Sequence, residues 1–240
     1  MSEVRYRGLL RRIHTDRSRQ SFDHEFVQFT GAVLESHLPL VDQFRMIFAC
    51  DDLEISRYVV HVAHSIRIDE LAPDLIRVFT TVDSIEGQFI KNAILLALDY
   101  LRHDNIHAFM LDVMQSPGEL TCREIAAESL NRGKKRPEMA LHFFHMAEDI
   151  SELTDMRCHA IEGLLYHGGG PRVLSLLVPF LQDHSGEVRW TALRTFEKHG
   201  DVFFASAIKP LINDDYQGEE GITTIGTLAQ KILTKWASQA

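Results

Sequence analysis

The chain repeats one interval between a proline and a basic residue. Three such pairs are each 18 residues apart, namely Pro39 and Arg57, Pro73 and Lys91, and Pro171 and Arg189. The basic residue also recurs in steps of 34, 32, 34 and 32 residues, at Arg57, Lys91, Arg123, Arg157 and Arg189. A period in this range is typical of a solenoid, in which each unit is a helix pair that cannot bury its own apolar face. The sequence therefore predicts an all-α solenoid of about seven antiparallel helix pairs.

Length and composition are those of an ordinary folded protein. The 240 residues are 45% hydrophobic and 25% charged, and no apolar run approaches the ~20 residues of a membrane-spanning helix. The N-terminal segment lacks the unbroken apolar run of a secretory signal. The three cysteines, Cys50, Cys122 and Cys158, are an odd number spread over three repeats, which argues against a disulfide framework. We therefore expect a cytoplasmic protein with no membrane partner.

The formal net charge of −9 is unevenly distributed. Residues 1–19 are rich in arginine, so the rest of the chain is more acidic than the total suggests. An acidic body repels a phosphate backbone, which argues against nucleic-acid binding. The apolar residues of the basic segment share one helical face, at Tyr6, Leu9, Leu10 and Ile13. We expect a capping helix there, with contact to a polyanion or a membrane as the alternative.

The recurring basic residue marks the second helix of each pair. Positions one before it, three after it and seven after it share one helical face and are mostly small or apolar. This predicted core face contains Ser56, Val60, His64, Ile90, Ile94, Leu98, Cys122, Ala126, Leu130, Met156, Ala160, Leu164, Val188, Ala192 and Phe196. Its alanines allow close approach between helices, and the larger residue one turn later fills the space beneath.

Proline and glycine mark the helix ends, because proline fits the first turn and glycine commonly follows the last. The predicted helices cover 3–13, 22–36, 39–49, 53–66, 73–81, 86–102, 104–115, 118–131, 137–147, 152–166, 171–182, 186–199, 201–212 and 222–237. Pro179 and Pro210 lie inside two of these helices and are predicted to bend them. We expect a single domain over residues 1–240, in which capping pairs at 1–36 and 201–240 flank a repeat core at 37–200.

Residues 171–200 resemble a HEAT repeat of the armadillo-type α-solenoid family. The resemblance is carried by the run Leu177, Val178, Pro179, Phe180, Leu181, Gln182 and Asp183, followed by Glu187, Val188, Arg189, Ala192, Leu193 and Phe196. In that family a first helix ends near an aspartate, and a Val-Arg pair opens the second helix. The resemblance implies a right-handed α-α superhelix, usually one that binds proteins.

The same resemblance implies a ladder of charged residues between neighbouring repeats. Asp183 and Arg189 are six residues apart, and so are Asp51 and Arg57. The implied ladder contains Asp51, Arg57, Lys91, Arg123, Arg157, Asp183 and Arg189. Ile85 and Ser151 stand where the aspartate is expected before Lys91 and Arg157, so the pattern is incomplete.

A row of residues on the second helices is the predicted partner-binding site. One and five positions after the recurring basic residue, side chains point away from the core face, and in this architecture they line the concave surface. The row contains Tyr58, Asn92, Glu124, Glu128, Glu162, Trp190 and Arg194. Aromatic residues supply rigid contact area, and carboxylates select a basic partner. The alternative is that the aromatic residues pack against adjacent repeats while the carboxylates form a solvated face.

Other chemistry finds little support in the sequence. Among 13 histidines, pairs such as His142 and His145 lack a third ligand at metal spacing, so no metal is predicted. No phosphate-binding loop or nucleophile elbow occurs, so no catalytic residue and no cofactor is predicted.

Cys158 follows Arg157, which could lower its thiol pKa, but an ordinary groove cysteine is the expectation. An acidic loop is interpreted as a solvated cluster or a second contact for a basic partner, at Asp214, Asp215, Glu219 and Glu220.

The sequence thus predicts a non-catalytic protein-binding scaffold whose concave face engages a basic partner protein. Such a protein could be an inhibitor of the immunity type or an assembly adaptor. The competing hypothesis is a HEAT-like enzyme or cofactor lyase, similar to the bilin lyases or DNA glycosylases of that fold. A third is nucleic-acid contact through the basic N-terminal helix.

Overall fold

The computed structural model describes residues 39–48, 68–82, 85–218, 221 and 223–238. Residue contacts divide the chain into two compact units, unit 1 over Met1–Ala126 and unit 2 over Ala127–Ala240. Several predictions lie outside the described residues, namely those for the helices 3–13, 22–36 and 53–66 and for Asp51, Arg57 and Tyr58. They stay predictions, as does one continuous domain over 1–240.

The described part of unit 1 is helical. Its elements are α1 (Leu40–Phe48), a 3₁₀ turn (Asp69–Leu71), α2 (Ala72–Thr81), α3 (Ile85–Leu98), α4 (Asp104–Gln115) and the start of α5 (Leu120–Arg132). Pro73 lies in the first turn of α2, where its missing N–H costs no hydrogen bond. His103 caps α4, because its Nδ1 accepts a hydrogen bond from the Asn105 amide at 3.3 Å.

Unit 2 holds the remaining helices. Its elements are α6 (Met139–Glu148), α7 (Thr154–Gly168), α8 (Gly170–Leu177), a 3₁₀ segment (Val178–Gln182), α9 (Gly186–His199), a 3₁₀ turn (Val202–Phe204), α10 (Ala205–Ile208), a 3₁₀ segment (Lys209–Asn213) and α11 (Ile225–Ala237). Across the described residues no extended strand occurs, and one isolated bridge joins Gln217 and Thr224. The described part of the chain is therefore all-α, as the sequence predicts.

Helix pairs follow one another along unit 2. α6 packs against α7, the segment Val178–Gln182 packs against α9, and the segment Lys209–Asn213 packs against α11. The second members of these pairs also pack consecutively, α7 against α9 and α9 against α11. Each pair therefore buries apolar surface against the next one, which is how repeated helix pairs stabilise one another.

The predicted core face is buried wherever the structure describes it. Each described member is at most 4% exposed, namely Ile90, Ile94, Leu98, Cys122, Ala126, Leu130, Met156, Ala160, Leu164, Val188, Ala192 and Phe196. Full burial of a large apolar side chain contributes about 1.5–3 kcal/mol, so this face is a main source of stability. The prediction of a core from the helical period is confirmed for these residues.

Two predicted helices change type at an internal proline. The predicted helix 171–182 is α-helical up to Leu177 and 3₁₀ from Val178, with Pro179 in the first turn of the 3₁₀ segment. The predicted helix 201–212 ends in a 3₁₀ segment that begins one residue before Pro210. Because proline has no N–H and its ring crowds the carbonyl one turn back, the α-helical hydrogen bond is lost there. Both segments therefore differ from the single α-helices that the sequence predicted.

Candidate functional site

A cleft of about 740 Å³ in unit 2 is the candidate functional site. Its lining residues are Asn131, Lys135, Glu162, Leu165, Tyr166, Gly169, Gly170, Leu174, Trp190, Thr191, Arg194, Thr195, Lys198, His199, Asp201 and Phe204. Cavities of this size, with aromatic and apolar walls and a few polar groups, are where proteins bind ligands. Three lining residues, Glu162, Trp190 and Arg194, belong to the predicted partner-binding row.

The helical period of α9 brings one wall of the cleft together. Trp190, Arg194 and Lys198 are spaced four residues apart and therefore lie along one face of the helix. The core residues of α9 occupy another face, so burial of that face leaves the cleft residues accessible. The helix begins after Ser185, whose hydroxyl accepts a hydrogen bond from the Val188 amide at 3.4 Å.

A second wall comes from α7 and the turn that follows it. Glu162 and Tyr166 line the cleft one helical turn apart. Gly163 lets this helix approach α6 closely, since a Cβ there would lie 2.6 Å from the ring of Phe143. Gly169 and Gly170 have φ angles of 61° and 76°, which favour glycine. Gly169 lies between α7 and α8, and Gly170 begins α8. Their position agrees with the expectation that glycine marks helix ends.

Trp190 is half-buried because a loop covers part of its indole. A Cβ at Gly218 would lie 2.3 Å from the Cε2 and Cζ2 atoms of Trp190, so only glycine allows this contact. In the same loop, the ring of Tyr216 lies against Gly186. The indole is therefore held by its own chain while it also lines the cleft. This contact agrees with the alternative that Trp190 packs against its own chain, whereas its role in binding a partner stays a prediction.

The cleft carries charges of both signs. Arg194 donates to Glu197 Oε2 at 2.5 Å, and Lys135 Nζ lies 5.3 Å from the ring centroid of Tyr166. The exposed side chain of Lys198 adds a further cation, and the exposed Glu162 adds a carboxylate. The acidic character predicted for the row is therefore balanced by cations in this cleft.

The turn between α5 and α6 forms part of the lining and is held by two aromatic residues of α7. The Tyr166 hydroxyl donates to the Gly133 carbonyl at 2.6 Å. His167, which is 3% exposed, accepts a hydrogen bond at Nδ1 from the Arg136 amide at 3.1 Å. Its Nε2 lies 3.1 Å from the Leu130 carbonyl oxygen. This arrangement fixes the backbone on either side of Lys135.

The other described members of the predicted row are not among the residues that line the cleft. In unit 1, Asn92 is half-buried and its Oδ1 accepts a hydrogen bond from the Cys122 thiol at 3.2 Å. Glu124 is half-buried, and Glu128 is exposed and accepts from Arg132 at 3.1 Å. Tyr58 lies outside the described residues. The partner-binding role of all these residues stays a prediction.

Arg157 and Asp183 form a buried ion pair between consecutive helix pairs of unit 2. Their side chains are 2% and 9% exposed, and the guanidinium donates to both carboxylate oxygens at 3.1 and 2.5 Å. Arg157 Nε also donates to the Ala147 carbonyl at 2.9 Å. Burial raises the pKa of the Asp183 carboxyl, but hydrogen bonds from Arg157 and the Ser185 amide outweigh it, so the pKa lies below its usual value.

Arg189 makes the equivalent contact one repeat later. Its Nε donates to Asp214 Oδ2 at 2.7 Å and its Nη2 donates to Oδ1 at 3.2 Å. Each arginine therefore reaches the aspartate 25 or 26 residues further along, and Arg189 does not pair with the carboxylate of Asp183, six residues before it. Only the backbone carbonyl of Asp183 accepts from Arg189, at 2.9 Å. The interpretation of Asp214 as part of a solvated loop is corrected, since its side chain is 13% exposed and paired.

Two further members of the implied ladder are described in unit 1. Arg123 is 7% exposed and its Nε donates to the Met114 carbonyl at 2.9 Å, as Arg157 does to Ala147. Lys91 has no guanidinium, and its Nζ instead lies 5.4 Å from the ring centroid of Phe79. A guanidinium that can donate from several atoms explains why arginine occupies the buried positions.

The Cys158 environment does not favour a reactive thiol. Burial is the main cause that raises the pKa of this thiol to about 11. The neighbouring Arg157 is committed to Asp183 and to the Ala147 carbonyl, so it does not offset the effect of burial. The structure therefore agrees with the expectation of an ordinary groove cysteine.

The sequence reasoning missed most of the lining residues, among them Tyr166, Lys198 and Lys135, and it also missed His167, which contacts the turn that carries Lys135. Tyr166 and Lys198 lie nine positions after the recurring basic residues Arg157 and Arg189. One more helical turn added to the predicted row would have found both. Lys135 and His167 have no such signal, because the path of the turn between α5 and α6 decides their contacts.

No protein-family model matches the chain, and no curated protein sequence matches it either. In the described ranges, no helix is long and apolar enough to cross a membrane. Within the same part of the chain, no group of three or more His, Cys, Asp or Glu side chains is arranged to hold a metal ion.

Proposed function

We propose that this chain is a non-catalytic protein-binding scaffold, built as a HEAT-like solenoid, and that the cleft of unit 2 holds a segment of its partner. One observation carries the proposal. Glu162, Trp190 and Arg194, which the sequence pattern assigns to a partner-binding row, line a single cleft together with Tyr166. The consecutive helix pairs of unit 2 and the arginine–aspartate contacts between them support the solenoid architecture.

The aromatic residues of the cleft are suited to anchor an apolar side chain of the partner. Trp190 is held against Gly218, and the Tyr166 hydroxyl is bonded to the Gly133 carbonyl. Side chains that are already ordered lose little conformational entropy when a partner binds. Trp and Tyr are also the residues most often found at energetic centres of protein interfaces.

The exposed carboxylate of Glu162 is the proposed contact for a basic residue of the partner. Lys135 and Lys198 line the same cleft, so the basic character of the partner is proposed for the contact at Glu162 and not for the whole segment. Binding of this kind acts sterically, because the scaffold occupies a surface that the partner needs. An inhibitor of the immunity type or an assembly adaptor in the cytoplasm would work in this way.

The proposal is tested by affinity capture of the tagged full-length chain from its native lysate, with mass spectrometry of the retained proteins. Glu162→Lys should weaken a near-stoichiometric partner by over tenfold, because the substitution places a cation where we propose that one binds. Glu148→Lys, on the exposed side of α6 and outside the cleft, is the charge-matched control and should retain it. Equal retention by both variants would show that the cleft is not the binding site.

A small-ligand site is the second candidate, and the volume of the cleft favours it. The 740 Å³ of the cleft lies within the roughly 300–1,000 Å³ of small-molecule sites. This candidate covers the HEAT-like enzyme or cofactor lyase. Native mass spectrometry and the absorption spectrum of the purified chain test it. A bound small molecule or chromophore that Trp190→Ala loses would favour this candidate over the protein partner.

A further inference from the structure

Both ring nitrogens of His167 are engaged by backbone groups of opposite kind. An amide N–H can only donate, so Nδ1 must present a lone pair to Arg136. A carbonyl can only accept, so Nε2 must carry the hydrogen that points to Leu130. The neutral Nε2–H tautomer satisfies both bonds, and the side chain is 3% exposed. The site therefore fits one protonation state of the imidazole.

We propose that His167 is a positioning residue for the turn of residues 133–136, the wall through which Lys135 lines the cleft, and that its protonation at Nδ1 at mildly acidic pH releases this wall. The consequence for partner binding rests on the proposed function, whereas release of the wall is measurable on the chain alone. Together, the two statements imply that the cleft binds its partner at neutral pH and binds it more weakly at mildly acidic pH.

Protonation opposes the arrangement for a geometric reason. A second ring proton on Nδ1 would point at the Arg136 N–H, so a donor would face a donor. The ring cannot easily turn away, because it stacks on Phe143 at 5.4 Å between centroids and meets Tyr166 edge-on at 5.0 Å. Separation of the Arg136 amide from the ring is then the simplest relief. Lys135, which lines the cleft, adjoins that amide and would move with it.

The charged groups around His167 do not remove this conflict. Burial, the largest effect, lowers the pKa of His167 below its usual value. The Leu130 carbonyl and the Glu138 carboxylate favour the charged ring, whereas Arg136 and Lys135 disfavour it. The Tyr166 phenol donates its hydrogen to the Gly133 carbonyl, and the tyrosine ring meets the imidazole edge-on. The ring is therefore neutral at pH 7.5 in the folded chain, and acidification favours the opened wall.

The test is hydrogen exchange, read by mass spectrometry, on the full chain at pH 7.5 and pH 5.5 without any partner. After correction for intrinsic rates, the Arg136 amide, which donates to Nδ1, should lose up to about tenfold of its protection at pH 5.5, relative to α9. An imidazole with the ordinary pKa of ~6.5 in the opened wall sets that upper limit. His167→Gln cannot gain a proton, so its protection should not change with pH. His142→Gln, which replaces an exposed histidine of α6, should behave like the wild type.

Unchanged protection of the wild-type wall at pH 5.5 would overturn the inference, and so would an equal loss in His167→Gln. If that variant does not fold, nitrogen NMR of the wild-type imidazole replaces it. A protonated Nδ1 at pH 7.5, or an Nδ1 that gains its proton while the wall stays protected, would then overturn the inference. If affinity capture retains no partner protein, only the proposed function fails, because the hydrogen-exchange experiment is carried out without a partner.

Discussion

Removal of Arg157 from its buried ion pair should be among the most destabilising single substitutions in unit 2. Arg157→Met keeps an unbranched apolar stem, shorter than that of arginine, but leaves the Asp183 carboxylate, 9% exposed, without its bidentate donor. Loss of one partner from a buried pair costs about 3–5 kcal/mol of unfolding free energy, since the remaining charge is desolvated and unpaired. The Ala147 carbonyl also loses a hydrogen bond from Arg157. The range of about 3–5 kcal/mol is taken to include the cost of that loss.

Two other pairs supply a graded comparison. Arg189 and Asp214 have side chains that are 20% and 13% exposed, so Arg189→Met should cost less than Arg157→Met. Arg132 and Glu128 are 56% and 50% exposed, and an exposed pair of this spacing contributes about 0.3–0.5 kcal/mol. The expected order of destabilisation therefore follows burial, with Arg157→Met first and Arg132→Met last.

Urea denaturation followed by tryptophan fluorescence measures these effects in the right part of the molecule. Both tryptophans of the chain, Trp190 and Trp236, lie in unit 2. With a denaturant dependence of about 2 kcal/mol per molar, Arg157→Met should lower the urea midpoint by about 1.5–2.5 M. The double variant Arg157→Met with Asp183→Leu leaves no unpaired charge and should recover part of the loss. Equal midpoints for Arg157→Met and Arg132→Met would refute the reasoning from burial.

Two further outcomes are expected. The stability of unit 2 should fall as the pH drops below about 4, because the pKa values of Asp183 and Asp214 are lowered in the folded state. Their contribution is present above the unfolded value near ~3.9 and is lost as the pH falls through the folded value. Urea midpoints at several pH values check this, and Asp214→Asn should flatten the curve. Gly226→Ala should cost about 1–3 kcal/mol by the same fluorescence assay, since its Cβ would lie 2.4 Å from the Ile212 carbonyl oxygen, a backbone atom. Gly118→Ala, whose Cβ would meet nothing closer than 3.9 Å, should leave the thermal midpoint by circular dichroism within a degree or two.

The helices and their buried faces could be read from the sequence because they depend on local order. A helical period of 3.6 residues places Val188, Ala192 and Phe196 on one face whatever the rest of the chain does. Each of these residues is fully buried. The 3₁₀ helix around Pro179 could not be predicted from the sequence. Proline excludes an α-helical hydrogen bond, but it does not determine which kind of turn replaces the α-helix.

The sequence by itself determined the all-α character, the helix pairs and the core face, because short-range periodicity and punctuation encode them. Only the tertiary structure decided that Arg189 pairs with Asp214, that Trp190 rests on Gly218, and that Glu162 shares its cleft with cations. Those contacts join residues that lie far apart in the chain, through loops whose paths no period describes. A pattern tells which side of a helix a residue occupies, whereas the fold of the connecting loops decides what that residue meets.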